Sequence, residues 1–458
     1  MSRSCHHCDE FSRASLLRRG AAEAGRGLPA IEPGMPAPAG TGLDRRSFVS
    51  GALGLALSVY GLGKLRLFED GIAQAAVGPA QPVLVSVFLP GGADSLSVLY
   101  PALDPNYRKL RPTLALPDDA GPAFSEDTRL NWHPKLAPLA TLHGEGKVSV
   151  MPAIGYTHPD QSHFTSRHFW EVGATDAGLA SGWMGRYLDQ HGTSDNPLQG
   201  LSLDYQLQPS LASTRVPVAS LAAPDEYTFD APGVWGEVQD RMLETLGALG
   251  TRRSDPFLNQ AANATAQSDR LRRQLAPFAQ NSDNGFGSPV QYPTDDSGFP
   301  RQLAGLAAML GANLPLHCVA LTAPGEYDTH SDQPQALADG LDLTAQTLLA
   351  FQRDLEARGL ADRVLTLVWS EFGRRAEENG SGTDHGAAGS AFLIGSRARG
   401  QMVGEFPGLT DGLDDDGNLK PTSDFRGVYS SLLEQWLGAD ASAVIPGASA
   451  FSRPTLVS

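Results

Sequence analysis

Cysteine is scarce in this chain: 458 residues hold three, Cys5, Cys8 and Cys318. The first two sit in an N-terminal tail and the third stands alone in the body. Once such a tail is removed, no disulfide within one chain can form, so a stapled fold is excluded and a buried core has to supply the stability. Basic charge is short as well. Lys and Arg number 35 against 51 Asp and Glu, a net charge of −16. That balance excludes nucleic acid as the partner, because a phosphate backbone needs a basic face. The apolar stretch Val49–Gly63 falls short of the ~20 residues that a membrane helix needs, so no stable membrane span is expected in the mature form.

That stretch has another reading. Asp44-Arg45-Arg46-Ser47-Phe48 precedes it and Ala73-Gln74-Ala75 follows it. A charged segment, a short apolar segment and a small-residue site make an export signal. The paired arginines resemble a twin-arginine signal, with Asp44 where Ser or Thr is usual. This implies the twin-arginine export machinery as a partner and a secreted, extracytoplasmic location. Residues 1–75 therefore read as a disordered leader plus signal peptide. Cys5-His6-His7-Cys8 has metal-like spacing but no second ligand pair, and reads as a chance cluster.

Glycine and proline are plentiful (50 and 33) and imply many loops. The body, residues 80–458, begins with Pro82–Leu89, an apolar and β-branched run ended by Pro90-Gly91-Gly92, the pattern of a buried strand. Further strands are expected at Lys147–Met151, His317–Leu321 and Arg363–Trp369. Helices are expected at Pro134–His143, from Ser162, at Gln302–Leu310 and at Gln335–Leu355. Residues 235–298 read as a helical and loop insertion. Strands alternating with helices indicate an α/β fold, a mostly parallel central sheet with helices on both faces.

Open sheets of this kind bind ligands at the carboxyl ends of their strands. Acids and histidines gather at those places in this sequence. Asp94 follows the first strand. Asp328 and His330 follow His317–Leu321. Glu371 ends Arg363–Trp369, and Asp384-His385 lies in the glycine-rich loop after it. Carboxylates collected at one edge repel one another, and a divalent cation relieves the repulsion. Mixed carboxylate and imidazole donors suit zinc, manganese or iron better than calcium or magnesium, and one or two ions of zinc or manganese are expected.

Several stretches are similar to those of an uncharacterised secreted family, domain of unknown function 1501, of the alkaline phosphatase/sulfatase-like superfamily. They are Leu89-Pro90-Gly91-Gly92-Ala93-Asp94-Ser95-Leu96, Gln161-Ser162-His163-Phe164, Trp170-Glu171-Val172-Gly173, Gly182-Trp183-Met184-Gly185-Arg186-Tyr187, Tyr327-Asp328-Thr329-His330, Ser370-Glu371-Phe372-Gly373-Arg374 and Gly382-Thr383-Asp384-His385-Gly386. The resemblance covers about residue 80 to the C-terminus. It implies an alkaline phosphatase-like fold, two metals and transfer of a phosphoryl or sulfuryl group from a small-molecule ester. By position it implies Asp94 as an early metal ligand and Ser162 as the nucleophile at a helix start. Asp328 and His330 match a later Asp and His, although their spacing here is Asp-x-His rather than Asp-x-x-x-His. Two mappings of the remaining ligands stand: Asp384-His385 as a strand-end pair, or Glu371 in the Asp place with His385 as the later His. Arg374 or His163 is the expected holder of the non-bridging oxygens. The family also implies another secreted protein as a partner.

Two rival readings remain. A metal-free serine esterase would need Ser95 paired with His385, in a stretch that echoes Gly-Asp-Ser-Leu with an extra Ala. A non-catalytic secreted binding or assembly protein would carry a degenerate form of the same ligand set.

Overall fold

The computed structural model describes residues 81–227, 235–250, 256–280 and 282–458. The leader, the paired arginines and the cleavage site lie outside these residues, as do parts of the 235–298 insertion.

Strand β1 (Val83–Phe88) is buried at every position. Successive side chains of a strand point to opposite faces. Val83, Val85 and Val87 enter one apolar cluster, while Leu84 and Phe88 enter a second. An unbroken apolar run is therefore what a strand covered on both faces requires. The sheet adds β2 (Val148–Gly155), β3 (Gly200–Ser202), β4 (Ala219–Ser220), β5 (Cys318–Thr322) and β6 (Val364–Trp369). A two-stranded ribbon, β7 (Arg374–Glu378) with β8 (Thr383–His385), stands off the sheet, which is completed by β9 (Gly389–Ile394) and β10 (Ser423–Asp424). The order across the eight-stranded sheet is β10-β2-β9-β6-β1-β5-β3-β4. Only β9 runs against its neighbours, β2 and β6.

The first cluster packs under α2 (Ala137–Gly144), α7 (Phe299–Gly311) and α8 (Gln333–Ala357), and the second under α3 (His163–Val172), α4 (Trp183–His191) and α9 (Phe425–Gln435). The mostly parallel sheet with helices on both faces is thus observed. Asp94 caps a one-turn helix α1 (Ser95–Val98) directly after β1. The insertion contains α5 (Gly236–Gly250) and α6 (Pro256–Leu275), which pack on each other. Among the described residues no helix is long and apolar enough to cross a membrane.

Strand β2 outruns its expected end by four residues, continuing through Pro152 to Gly155. Proline has no N–H to give to a ladder. The pairing with β9 slips there, from Met151 opposite Ala391 to Ile154 opposite Gly389, and the irregularity accommodates the ring.

Candidate metal centre

Three central strands end level, Phe88 of β1 lying opposite Thr322 of β5 and Trp369 of β6. The loops leaving these ends, the start of α3 and the β7–β8 ribbon deliver the chemistry. Gly91 and Gly92 take positive φ angles of 120° and 72°. A Cβ on Gly91 would lie 2.4 Å from the Asp328 backbone nitrogen, so only glycine lets the two loops close.

Three histidines converge on Asp328. His163 Nε2 lies 3.4 Å from Asp328 Oδ2, while His330 Nε2 and His385 Nε2 lie 3.2 and 3.4 Å from Oδ1. His330 Nε2 and His385 Nε2 are 3.0 Å apart. Each ring is held from behind at Nδ1: His163 by Glu371 Oε1 at 2.7 Å, His330 by Asp384 Oδ1 at 3.1 Å, His385 by the Gln161 carbonyl at 2.8 Å. These partners only accept, so each Nδ1 carries a hydrogen, and a ring with no second proton turns its Nε2 lone pair inward. Two lone pairs 3.0 Å apart repel unless a proton or a cation sits between them.

The donor spacing fits a cation. Nitrogen and oxygen atoms bound tetrahedrally to zinc at about 2.0–2.1 Å lie roughly 3.3 Å from one another, and the contacts of the three histidines with the Asp328 oxygens and of His330 with His385 span 3.0 to 3.4 Å. His163, Asp328 and His385 each offer one ligand atom, all within 4.8 Å of one another. An outer layer of carboxylate and carbonyl acceptors behind the imidazoles is the arrangement that orients metal-ligating histidines.

The electrostatics agree. Burial works against ionised Asp328, but its hydrogen bonds to the three histidines and the Arg374 charge outweigh it and hold the carboxyl far below its ordinary value. Burial likewise opposes a charged His163, yet Asp328 and Glu371 push its pKa up to about 9. Without a cation, His163 therefore keeps a proton between itself and Asp328. Burial, with only partial relief from Asp328, lowers His385 and keeps it neutral. Cation binding must expel the His163 proton.

The structure brings together Asp328, His330, Glu371, Asp384 and His385, with His163, but not in the roles expected of all of them. Glu371 is not turned to the centre. Its oxygens accept the Gly91 and Gly92 amides at 3.0 to 3.2 Å and hold His163. Asp384, the most exposed member, backs His330 and accepts from Asn379. His163, read from sequence as a holder of substrate oxygens, is a ligand-type residue. Arg374, given the same role, is corrected: its side chain is wholly buried. It donates to the carbonyls of Gly91, Gly92, Tyr327 and Thr383 and to Asp328, tying three loops together.

Asp94 is also corrected. It stands one layer behind the cluster, paired with buried Arg111. Gln333 connects the two layers. Its amide donates to Asp94 and Ser97, and its carbonyl accepts the hydroxyls of Thr329 and Thr383. Ser162 is half-buried at the N-cap position of α3, and its side chain caps no N–H. The Ser95–His385 pairing is not made. Ser95 is buried and donates to the Ala388 carbonyl at 3.2 Å.

Glu371→Gln is expected to weaken cation affinity about 10–100-fold by loosening His163, with the fold retained. Competition against a chromophoric chelator measures it, and an unchanged affinity would remove Glu371 from this role.

A mostly parallel α/β protein with a candidate cation site of histidine and aspartate at the sheet's carboxyl edge is the class that fold and site define. A family model described as "Protein of unknown function (DUF1501)" matches residues 153–420, and the chain belongs to that family. No curated protein matches it. Among solved structures it is similar to a protein in the alkaline phosphatase superfamily from Vibrio parahaemolyticus, at 10% identity over 82% of this chain and 71% of that one, with a TM-score of 0.35. It is also similar to the soluble domain of lipooligosaccharide phosphoethanolamine transferase A from Neisseria meningitidis (10% identity, 87% and 98% covered, TM-score 0.33). A third is PsFucS1 sulfatase from Pseudoalteromonas sp. (11% identity, 78% and 68% covered, TM-score 0.33). At these scores the likenesses carry no argument about this chain.

Proposed function

We propose that this chain is a metal-dependent hydrolase of phosphate or sulfate esters that works outside the cytoplasm. One observation carries the reading: His163, His330 and His385 aim their Nε2 atoms at ionised Asp328, beside a helix start whose serine hydroxyl caps nothing. His163, His385 and Asp328, with His330, would hold the cation, zinc or manganese by donor type. A bound cation would supply Lewis-acid stabilisation of charge on the ester oxygens.

The chain's own part is orientation and nucleophilic attack. Glu371, Asp384 and the Gln161 carbonyl fix the rings, and Arg374 fixes Asp328. The N-terminus of α3 favours an anionic group beside Ser162. Ser162 Oγ would bond to phosphorus or sulfur, give up its proton, and release the alcohol as the ester bond breaks. Water would then cleave the serine ester and return the proton.

A second reading, a non-catalytic secreted binding or assembly protein, is favoured by a separate observation. His330 stands beside the three candidate donors, its Nε2 3.0 Å from that of His385, and were it to join them the four would be the closed number of a structural site, whereas a catalytic centre keeps a position open. Protein recovered from its native export route, screened against phosphate and sulfate monoesters with and without a chelator, separates the two. The hydrolase reading expects turnover that the chelator abolishes and that Ser162→Ala lowers at least about 100-fold. Bound metal without any turnover would establish the second reading, and chelator-resistant turnover would overturn the first.

A further inference from the structure

The resemblance read from sequence implies two metals, one of them on an aspartate after the first strand. The residues actually present do not fit a second cation there. Two carboxylate oxygens offer about four lone-pair positions. Asp94 already receives five donors: Leu96 N, Ser97 Oγ, Gln333 Nε2, and both terminal nitrogens of Arg111. Arg111 is equally committed. Its five N–H groups meet Asp94 Oδ1 and Oδ2, Ser97 Oγ and the carbonyls of Arg375 and Ala376. Both side chains are entirely buried. A cation claiming Asp94 would leave a guanidinium in the interior without its counter-charge.

We propose that the centre takes a single divalent cation, bound by His163, His385 and Asp328 with His330 beside them, and that Arg111 neutralises Asp94 as a built-in substitute for a second ion. This rests on reading the cluster as a cation site. The charges are consistent with it. One divalent ion together with Arg374 balances the carboxylates of Asp328, Glu371 and Asp384, so no surplus negative charge calls for a second ion. A second ion at Asp94 would add positive charge directly beside the fixed Arg111 guanidinium.

The test is stoichiometric. Full-length protein is stripped by a chelator and titrated with Zn²⁺, and separately with Mn²⁺, by calorimetry and native mass spectrometry. One equivalent per chain is expected. His330→Ala, at a partly exposed site, should weaken binding about 10–100-fold. Asp94→Asn should keep one equivalent with affinity within about twofold. Two equivalents in the wild-type chain, or loss of the equivalent in a folded Asp94→Asn protein, overturns the proposal. If Asp94→Asn does not fold, the wild-type stoichiometry decides alone. Two equivalents would leave the hydrolase reading standing, whereas none would sink both.

Discussion

Asp328→Asn should abolish cation binding and lower ester hydrolysis by about 10³-fold, the loss that follows when several kcal/mol of charge stabilisation disappears. Asp328 is the hub of the centre, since all three inward nitrogens and Arg374 meet its two oxygens. The amide that replaces it is isosteric but neutral. Its NH₂ group faces donors on one side and cannot bind a cation on the other. Loss of Asp328 charge also removes one of the two carboxylates that hold the His163 proton, because Asp328 and Glu371 together push that pKa up to about 9. Elemental analysis and a coupled ester assay on the exported protein check the outcome. Asp328→Asn protein that keeps both its metal and its rate would place the centre elsewhere.

Arg111→Met should cost about 3–5 kcal/mol of stability, the penalty for leaving a buried charge unpaired. Asp94→Asn combined with Arg111→Met should recover most of it, because removing both charges leaves nothing to desolvate. The acid dependence supplies an independent check. In the wild type, burial tends to raise the Asp94 carboxyl, but Arg111 prevails and holds it below its ordinary value. Its contribution is therefore complete above the unfolded carboxylate value near about 3.9 and fades as pH falls below it. Without Arg111, only the Ser97 and Gln333 hydrogen bonds oppose burial, so the folded value rises and acidification favours the folded variant. Urea midpoints at pH 7 and pH 4.5 should show the gap between wild type and variant narrowing toward acid. A gap that widens, or a cost under about 1 kcal/mol, contradicts the pairing.

Much of the architecture was readable because burial on both faces leaves an unmistakable mark. Val83–Phe88 and Val364–Trp369 are apolar without alternation, and the acids just beyond such runs had to lie at one sheet edge. Asp328, His330, Glu371 and His385 were found by that logic alone. His163 was placed correctly at a helix start, yet its role depends on which nitrogen Glu371 holds, a matter of ring orientation that spacing does not encode. Arg374 and Arg111 were opaque for a related reason. An arginine can bind a substrate anion or stitch loops together, and only its acceptors tell the difference. Strand β9 was missed because its antiparallel course adds no helix to the alternation of strands and helices.

The three imidazoles are anchored by three different segments of chain: Glu371 after β6, Asp384 in the ribbon, and Gln161 ahead of α3. No single hinge can relax them together, so the aperture they frame has a fixed bore. Calcium, which seeks six to eight oxygens at longer range, finds here mostly nitrogen at short range. Stiffness of this kind would make the proposed centre a sieve for ion size, in any compartment where large hard cations outnumber the small ones.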